Sequence, residues 1–454
     1  MEIFSIHLFM HKEVAYLMKK KRYMVFVLIF SMLFYTGCHY IQDEKLPPAE
    51  KPTLNFRITW DSYSGRGEAI KSIIDVYNAR PSSKSIIQLV GGNENREQTN
   101  KLLEETGKDT IFVLPYRYIK AYGLSNALST LNPAFNAYKD LYYDEIWAMG
   151  IVDHQLYGIP WIGHSICLLY NESLLKQANI APEEIDSLDA FVKALEAVQS
   201  HTNAKGIGLV GAEHNDVSWM VNQFIYGFGS QLVDSVTSEV VINNQMTADA
   251  IRFYRDVLGA FAQENWEHHS GLNVMKLFLE QQVAFEFQGV WGVTDIYKNG
   301  RPFEVGIILP SKIGLKSEVG PLMLSIPSNM SQENQILAND FIHFLLSEEA
   351  QTGLMKGEYS PEHDSHYPFR VPMRIDLHDS LIANDYSIYL PFIEGLSNPS
   401  IDVPIPEWER IKHEYYESGL HEVMIKSRTI ESFLDEIEHI ATQLINESRY
   451  ENGD

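Results

Sequence analysis

Only two cysteines, Cys38 and Cys167, occur in the 454 residues. One disulfide is therefore the most the chain can form, and none forms if Cys38 is modified. Basic residues are also scarce: 36 Lys and Arg stand against 60 Asp and Glu, a formal charge of −24. A surface of that sign repels polyanions, and no basic patch offsets it, which argues against nucleic acid as a partner. Catalytic signatures are missing as well. No Gly-x-Ser-x-Gly elbow occurs, and Gly65-Arg66-Gly67 lacks both the third glycine of a dinucleotide loop and the lysine of a phosphate loop. The histidine-bearing runs His363-Asp364-Ser365-His366 and Glu267-His268-His269 do not have the i, i+4 spacing of a helical zinc site, so no metal is expected. There is no internal repeat, no heptad array and no second candidate membrane span.

What is present begins near the start. Lys19-Lys20-Lys21-Arg22 leads into an apolar stretch, Tyr23–Tyr35, and then Thr36-Gly37-Cys38. A basic segment, a short apolar core and a small-residue site make the layout of a secretory signal peptide. The core is shorter than the ~20 residues a helix needs to cross a bilayer. A cysteine directly after Thr-Gly resembles the bacterial lipobox, whose thiol takes a lipid, although Tyr35 stands where lipoproteins usually carry leucine. Residues 1–37 are accordingly read as a signal peptide, with Met18 as an alternative start. Residues 38–53, polar and proline-bearing, read as a tether behind a lipidated Cys38. Everything beyond is expected outside the cytoplasm, anchored to the bacterial membrane. The chain after residue 37 keeps 31 basic and 58 acidic residues, a balance of −27. At 45% apolar and 12% aromatic residues overall, the chain can still build a core.

Leu54, Phe56 and Ile58 alternate with polar residues as in a strand, and Ile70, Ile73, Ile74 and Tyr77 follow at helical spacing. Strand-like 85–90, helix-like 96–106 and strand-like 110–114 continue the alternation. Such an order predicts a parallel sheet covered by helices, with ligands beyond the carboxyl ends of its strands. A second unit starts near Ser165–Tyr170. It carries a helix over 188–198, a strand-like stretch over 207–210, an aromatic and glycine-rich stretch over 219–228 and a helix over 247–261, followed by the segment 274–282, a strand over 283–287, the apolar run 305–309 and then a helix over 332–346. A broken helical region over 407–448 closes the chain. Cys167 lies within Ile166-Cys167-Leu168-Leu169-Tyr170 and reads as a small core hydrophobe.

Four stretches then point in one direction. Asp153-His154-Gln155-Leu156-Tyr157-Gly158-Ile159-Pro160 resembles the pattern D-G-K-L-Y-G-I-P, and Leu168-Leu169-Tyr170-Asn171-Glu172-Ser173-Leu174-Leu175 resembles L-x-Y-N-K-D-L-L. Ala284-Phe285-Glu286-Phe287-Gln288-Gly289-Val290-Trp291 resembles A-M-x-x-x-G-x-W. Ile342 to Gln351 resembles F-L-L-S-x-E-A-Q. In this order they resemble the extracellular solute-binding proteins of carbohydrate ABC importers, the family of the maltose-binding protein. The resemblance implies an α/β, two-lobed periplasmic-binding-protein-like fold with hinge crossings between lobes. One lobe would take 54–162 plus 311–355, and the other 163–309 plus 356–454.

It further implies a mono- or oligosaccharide held between the lobes by a monomeric receptor, without cofactor, and delivered to the permease subunits of an ABC importer. Sugars present apolar C–H faces and a rim of hydroxyls, so their sites combine aromatic plates with hydrogen-bonding side chains. Trp291 matches the family's tryptophan after the glycine, and Trp219 falls where relatives place another aromatic. Trp161 and His164 border the crossing after Tyr-Gly-Ile-Pro. Trp60, Asp61 and Tyr116 end strands of the first lobe, with Asp61 suited to accept from paired hydroxyls. Glu286 and Gln288 alternate with Phe285 and Phe287, and either pair is open to the cleft. The residues leave two other readings open, a polysaccharide-degrading enzyme and a ligand-sensing lipoprotein that partners a membrane sensor.

Overall fold

The computed structural model describes residues 51–452 apart from 93–95, 235–236, 238 and 401–404. The expected signal peptide, most of the tether and Cys38 lie outside the described residues. Along the chain run β1 (Thr53–Ile58), β2 (Ile86–Gly91), β3 (Thr110–Pro115), β4 (Ile159–Gly163), β5 (Cys167–Asn171) and β6 (Lys205–Gly208). They are followed by β7 (Val283–Gln288), β8 (Val305–Ile308), β9 (Ser317–Glu318), β10 (Leu322–Ser325), β11 (Val371–Pro372) and β12 (Pro399–Ser400).

Two separate sheets organise these strands. The first has the order β11-β4-β10-β3-β1-β2, in which β1 lies parallel to both β2 and β3. The second has the order β8-β5-β7-β6. Between them the chain crosses through short segments, where β9 pairs with β12 and Ser165 bridges to Val319.

Local sequence accounts for the elements that frame the first sheet. Leu54, Phe56 and Ile58 point inward and are essentially inaccessible. Phe56 meets Trp161 and Phe341 edge-to-face, with centroids 5.5 and 5.2 Å apart, geometry that adds to its burial. The helix Gly65–Ala79 starts at Ser64, whose Oγ accepts from the Gly67 amide at 3.1 Å. Gly67 is required there, because a Cβ would sit 2.5 Å from the Asp61 and Ser62 carbonyl oxygens. Its Ile70, Ile73, Ile74 and Tyr77 are buried, as their spacing predicted. In the second lobe Ser187 caps Leu188–His201 in the same way, and Phe191, Leu195 and Val198 pack inward.

Three expectations need correction. The helix expected over 247–261 is α-helical only for Gln245–Arg252, then passes through a π-helical turn, Phe253–Val257, and a 3-10 turn. Residues 356–454 do not all belong with the second sheet. Val371 and Pro372 pair with Gly163 and Ile162 and extend the first sheet at its edge, where a proline with no amide to donate is tolerated. The stretch up to Leu396 follows them back across the hinge, where the Ser165 hydroxyl donates to the Phe392 carbonyl at 2.7 Å. Neither pair on β7 faces open space, since all six of its residues are buried. Glu286 is 1% exposed, and burial followed by the nearby charge of Asp295 pushes its carboxyl well above the usual range.

The C-terminal region is helical over Trp408–Ile411, π-helical over Lys412–Tyr416, helical again over Glu417–Met424, and resumes at Ile430–Asn452. Trp408, Tyr416, Leu420 and Phe433 bury it against the second lobe, and the Tyr416 hydroxyl donates to Asn222 at 2.7 Å. Cys167 is fully buried, and desolvation pushes its thiol up to about 12, which makes it chemically inert in the folded chain.

Candidate functional site

Beyond the carboxyl ends of β1 and β3 lies a cavity of about 410 Å³. Arg57, Trp60, Thr99, Arg117, Tyr118 and Arg370 contribute to its wall, with Ile58 and Leu114 behind them. None of the described residues that line it is acidic. Its position follows from the parallel arrangement of β1 and β3, whose chains both turn away there and leave a crevice.

Arg370, just ahead of the edge strand β11, is the centre of this region. Its guanidinium lies 5.3 Å from the ring centroid of Trp60 and 4.7 Å from that of Trp291, so one cation is held by two aromatic faces. Trp60 comes from the end of β1, and Trp291 from the first turn of the helix Val290–Lys298 after β7 of the second sheet. The two lobes therefore meet around this guanidinium. Trp291 folds back over its own helix start, and Gly289 is what permits this: a Cβ at 289 would lie 2.3 Å from Cζ3 of the indole. The glycine-x-tryptophan spacing in the sequence thus has a steric cause.

His164 packs edge-to-face on Trp291 at 4.9 Å, and its Nε2 lies 3.0 Å from Oε2 of Glu318. Gly320 makes room for that ring, since a Cβ there would come within 2.3 Å of His164 Cε1. Around Trp60 a second ionic group forms. Glu358 accepts from Arg66 at 2.9 Å and from Lys298 at 3.0 Å. Burial works against the Glu358 charge, but the hydrogen bonds and charges of Arg66 and Lys298 outweigh it and hold the carboxyl below its ordinary range. Burial acts on Arg370 too, and with the like charge of Arg66 it brings the guanidinium down to about 9 against the opposing Glu318 and Glu358.

The expected site residues fall into two groups. Trp60, Trp291 and His164 are brought together around Arg370. The others are placed elsewhere. Trp161 is fully buried against Phe56, in the core of the first lobe and not on a cleft wall. Trp219 is 8% exposed and its indole donates to Asp216 at 3.3 Å, inside the core of the second lobe. Tyr116 is buried as well, while its neighbours Pro115, Arg117 and Tyr118 line the cavity. Asp61 is exposed, and its Oδ1 accepts from the Tyr63 amide at 2.8 Å in the turn before the first helix.

Sequence reasoning missed the charged partners Arg117, Glu318, Glu358 and Arg370. Only Arg370 left a trace: a lone arginine in Pro368-Phe369-Arg370-Val371-Pro372, a run otherwise fit for a buried edge. His154 marks a further departure. It occupies a left-handed position with φ of 62°, where the resembled pattern has glycine.

Arg117 also reaches the second lobe, where its Nε lies 3.0 Å from the carboxylate of Glu409. Glu409 in turn accepts from Nε2 of His413 at 2.9 Å, and Nδ1 of the same ring meets Glu417 at 3.0 Å. With a carboxylate on each nitrogen the imidazole is held as a cation, and those two hydrogen bonds raise it to about 9. Desolvation would lift the carboxyl of Glu409, but His413, Arg117 and Lys412 override it and hold it at about 2.

A family model described as bacterial extracellular solute-binding protein matches residues 87–365. Among solved structures, the sugar-binding protein MalE from Xanthomonas citri is similar with a TM-score of 0.72 and 16% identity, over 88% of this chain and 99% of that one. The GacH receptor of Streptomyces glaucescens gives 0.68 and 16%, over 87% and 99%. UgpB from Mycobacterium tuberculosis, in complex with glycerophosphocholine, gives 0.67 and 17%, over 88% and 99%. No curated protein sequence matches the chain. At these identities the structures speak for the two-lobed fold alone, which is the architecture that the sheets and crossings describe. The family model covers more than half of the chain, and the chain belongs to the family of bacterial extracellular solute-binding proteins.

Proposed function

We propose that the protein is a lipid-anchored carbohydrate receptor that binds its ligand between the lobes and delivers it to an ABC importer. The observation that carries this reading is the pair Trp60 and Trp291. Each comes from a different lobe, and they converge at one guanidinium beside a crevice of about 410 Å³. Two indoles near a cavity of that size suit the apolar faces of pyranose rings, and pockets for small ligands commonly measure ~300–1,000 Å³. Sugar-binding neighbours such as the Xanthomonas citri protein support the same class of ligand.

Binding to both lobes favours the state in which they are together, and the importer would read that state. A panel of mono- and oligosaccharides followed by thermal unfolding tests the reading. A true ligand at 100 times its dissociation constant should add ~2.7 kcal/mol of stability and come back chemically intact. Turnover of a glycan, or no stabilisation by any saccharide, would overturn it.

Anchoring is tested separately. Cys38→Ser should abolish incorporation of labelled fatty acid and release the protein from washed membranes, because stable attachment takes more than one acyl chain on the mature N-terminus. Equal labelling of both forms would rule the lipid anchor out.

A further inference from the structure

In a chain with a formal charge of −24, the cavity wall carries three arginines and, among the described residues, no carboxylate. The ionic partners around it show how the charges are distributed. Glu358 is engaged by Arg66 and Lys298, and Glu318 by His164. Arg117 is engaged by Glu409. Arg370 has no carboxylate within ion-pairing distance among the described residues. Its Nη1 donates to the neighbouring Phe369 carbonyl at 2.8 Å, and its Nε is buried with no hydrogen-bond partner.

Such an arrangement is costly in isolation. A guanidinium does not give up its proton, so the half-buried Arg370, its Nε sealed off beside two indoles, keeps a positive charge that Glu318 and Glu358 oppose only at longer range and that no carboxylate pairs directly. Aromatic faces compensate in part. A carboxylate or ester anion in the cavity would compensate far better, because charge-assisted bonds to a planar guanidinium are short, directional and strengthened by low dielectric. The cavity is also much too roomy for an inorganic oxyanion alone, and its aromatic rim calls for a ring next to the charge.

We propose that the ligand is an anionic saccharide, with Arg370 holding its carboxylate, sulfate or phosphate group beside Trp60 and Trp291, and with Arg117 contributing where it lines the same cavity. This rests on the carbohydrate reading above and narrows it to acidic sugars. The arginines act as a local positive focus within an acidic surface, selecting ligand charge at the site while the rest of the molecule repels polyanions.

The test is calorimetric titration of the protein with four probes: a uronic-acid disaccharide, the same disaccharide with its carboxyl reduced to hydroxymethyl, a sulfated neutral disaccharide, and inorganic sulfate. An acidic disaccharide should bind ~10–100-fold tighter than the reduced one, the range expected of a hydrogen bond to a charged group. That advantage should shrink between 50 and 500 mM salt. Whichever of the uronate and the sulfated sugar binds tighter identifies the anion. Arg370→Gln should bring acidic and reduced disaccharides to within ~3-fold of each other while the reduced one still binds. Arg370→Lys, which keeps the charge but not the planar fork, should retain part of the preference and covers a failure of the glutamine variant to fold. Equal affinity of wild type for the uronate, sulfated and reduced disaccharides would overturn the proposal and leave the carbohydrate reading intact. Binding of inorganic sulfate with no disaccharide bound at all would overturn both.

Discussion

Trp291→Ala should weaken saccharide binding by ~10–100-fold while leaving a cooperative thermal transition. The estimate takes ~1.5–3 kcal/mol for losing an aromatic plate and the apolar area it covers. The fold should survive because Trp291 is only partly buried, packed on the edge of the second core by its contacts to His164 and Arg370. Trp291→Phe should recover most of the affinity, since a smaller ring still offers a face to the ligand and to the guanidinium. The structural cost has a definite origin: removing the indole uncovers one side of Arg370, so a fall of a few degrees in Tm is expected from that lost contact. Isothermal titration of the three proteins with the best saccharide from the panel is the measurement. Unchanged affinity for Trp291→Ala would remove this tryptophan from the site, and collapse of the thermal transition would make it a core residue.

Much of the architecture was legible in advance because it rests on patterns that are local in sequence. Alternating Leu54, Phe56 and Ile58 and the helical spacing of Ile70, Ile73, Ile74 and Tyr77 specify which face is buried before any partner is known. The glycine before Trp291 is legible for the same reason, since glycine and indole are two residues apart. The edge strand at Val371 was not, because a two-residue strand has no periodicity to read and its pairing with Gly163 spans more than 200 positions. The candidate site shows the same division. Aromatics could be nominated from type and position, but whether an indole meets a ligand or a core depends on its tertiary neighbours, which sent Trp161 and Trp219 inward. Charged residues were harder still. Arg370 draws its character from Trp60 and Trp291, and Arg117 from Glu409, none of them within reach of a sequence window.

The pair formed by Arg117 and Glu409 joins the end of the first sheet to the C-terminal helices of the second lobe, so it exists only while the lobes are together. Glu409→Gln should therefore enlarge the radius of gyration of the ligand-free protein and lower its stability near pH 7 by about 3 kcal/mol. That figure follows from a buried carboxyl, 5% exposed, moved from its ordinary 4.5 to about 2, at 1.36 kcal/mol per unit. The sign is fixed by the direction of the shift. A carboxyl whose pKa is depressed by folding contributes fully above its unfolded value and loses that contribution as pH falls through the folded one. The gap in stability between wild type and Glu409→Gln should therefore stay open down to about pH 4.5 and close toward pH 2. His413 carries the opposite sign. Folding raises it to about 9, so its contribution is complete below its ordinary 6.5 and disappears as pH climbs through 9. Being 45% exposed, it is screened by solvent and should shape the alkaline limb only gently. Urea unfolding of both proteins between pH 2 and pH 10, with X-ray scattering at pH 7, reads all of this. Parallel stability curves across the acid limb would show that Glu409 titrates normally, and an unchanged radius of gyration would show that the pair does not hold the lobes together.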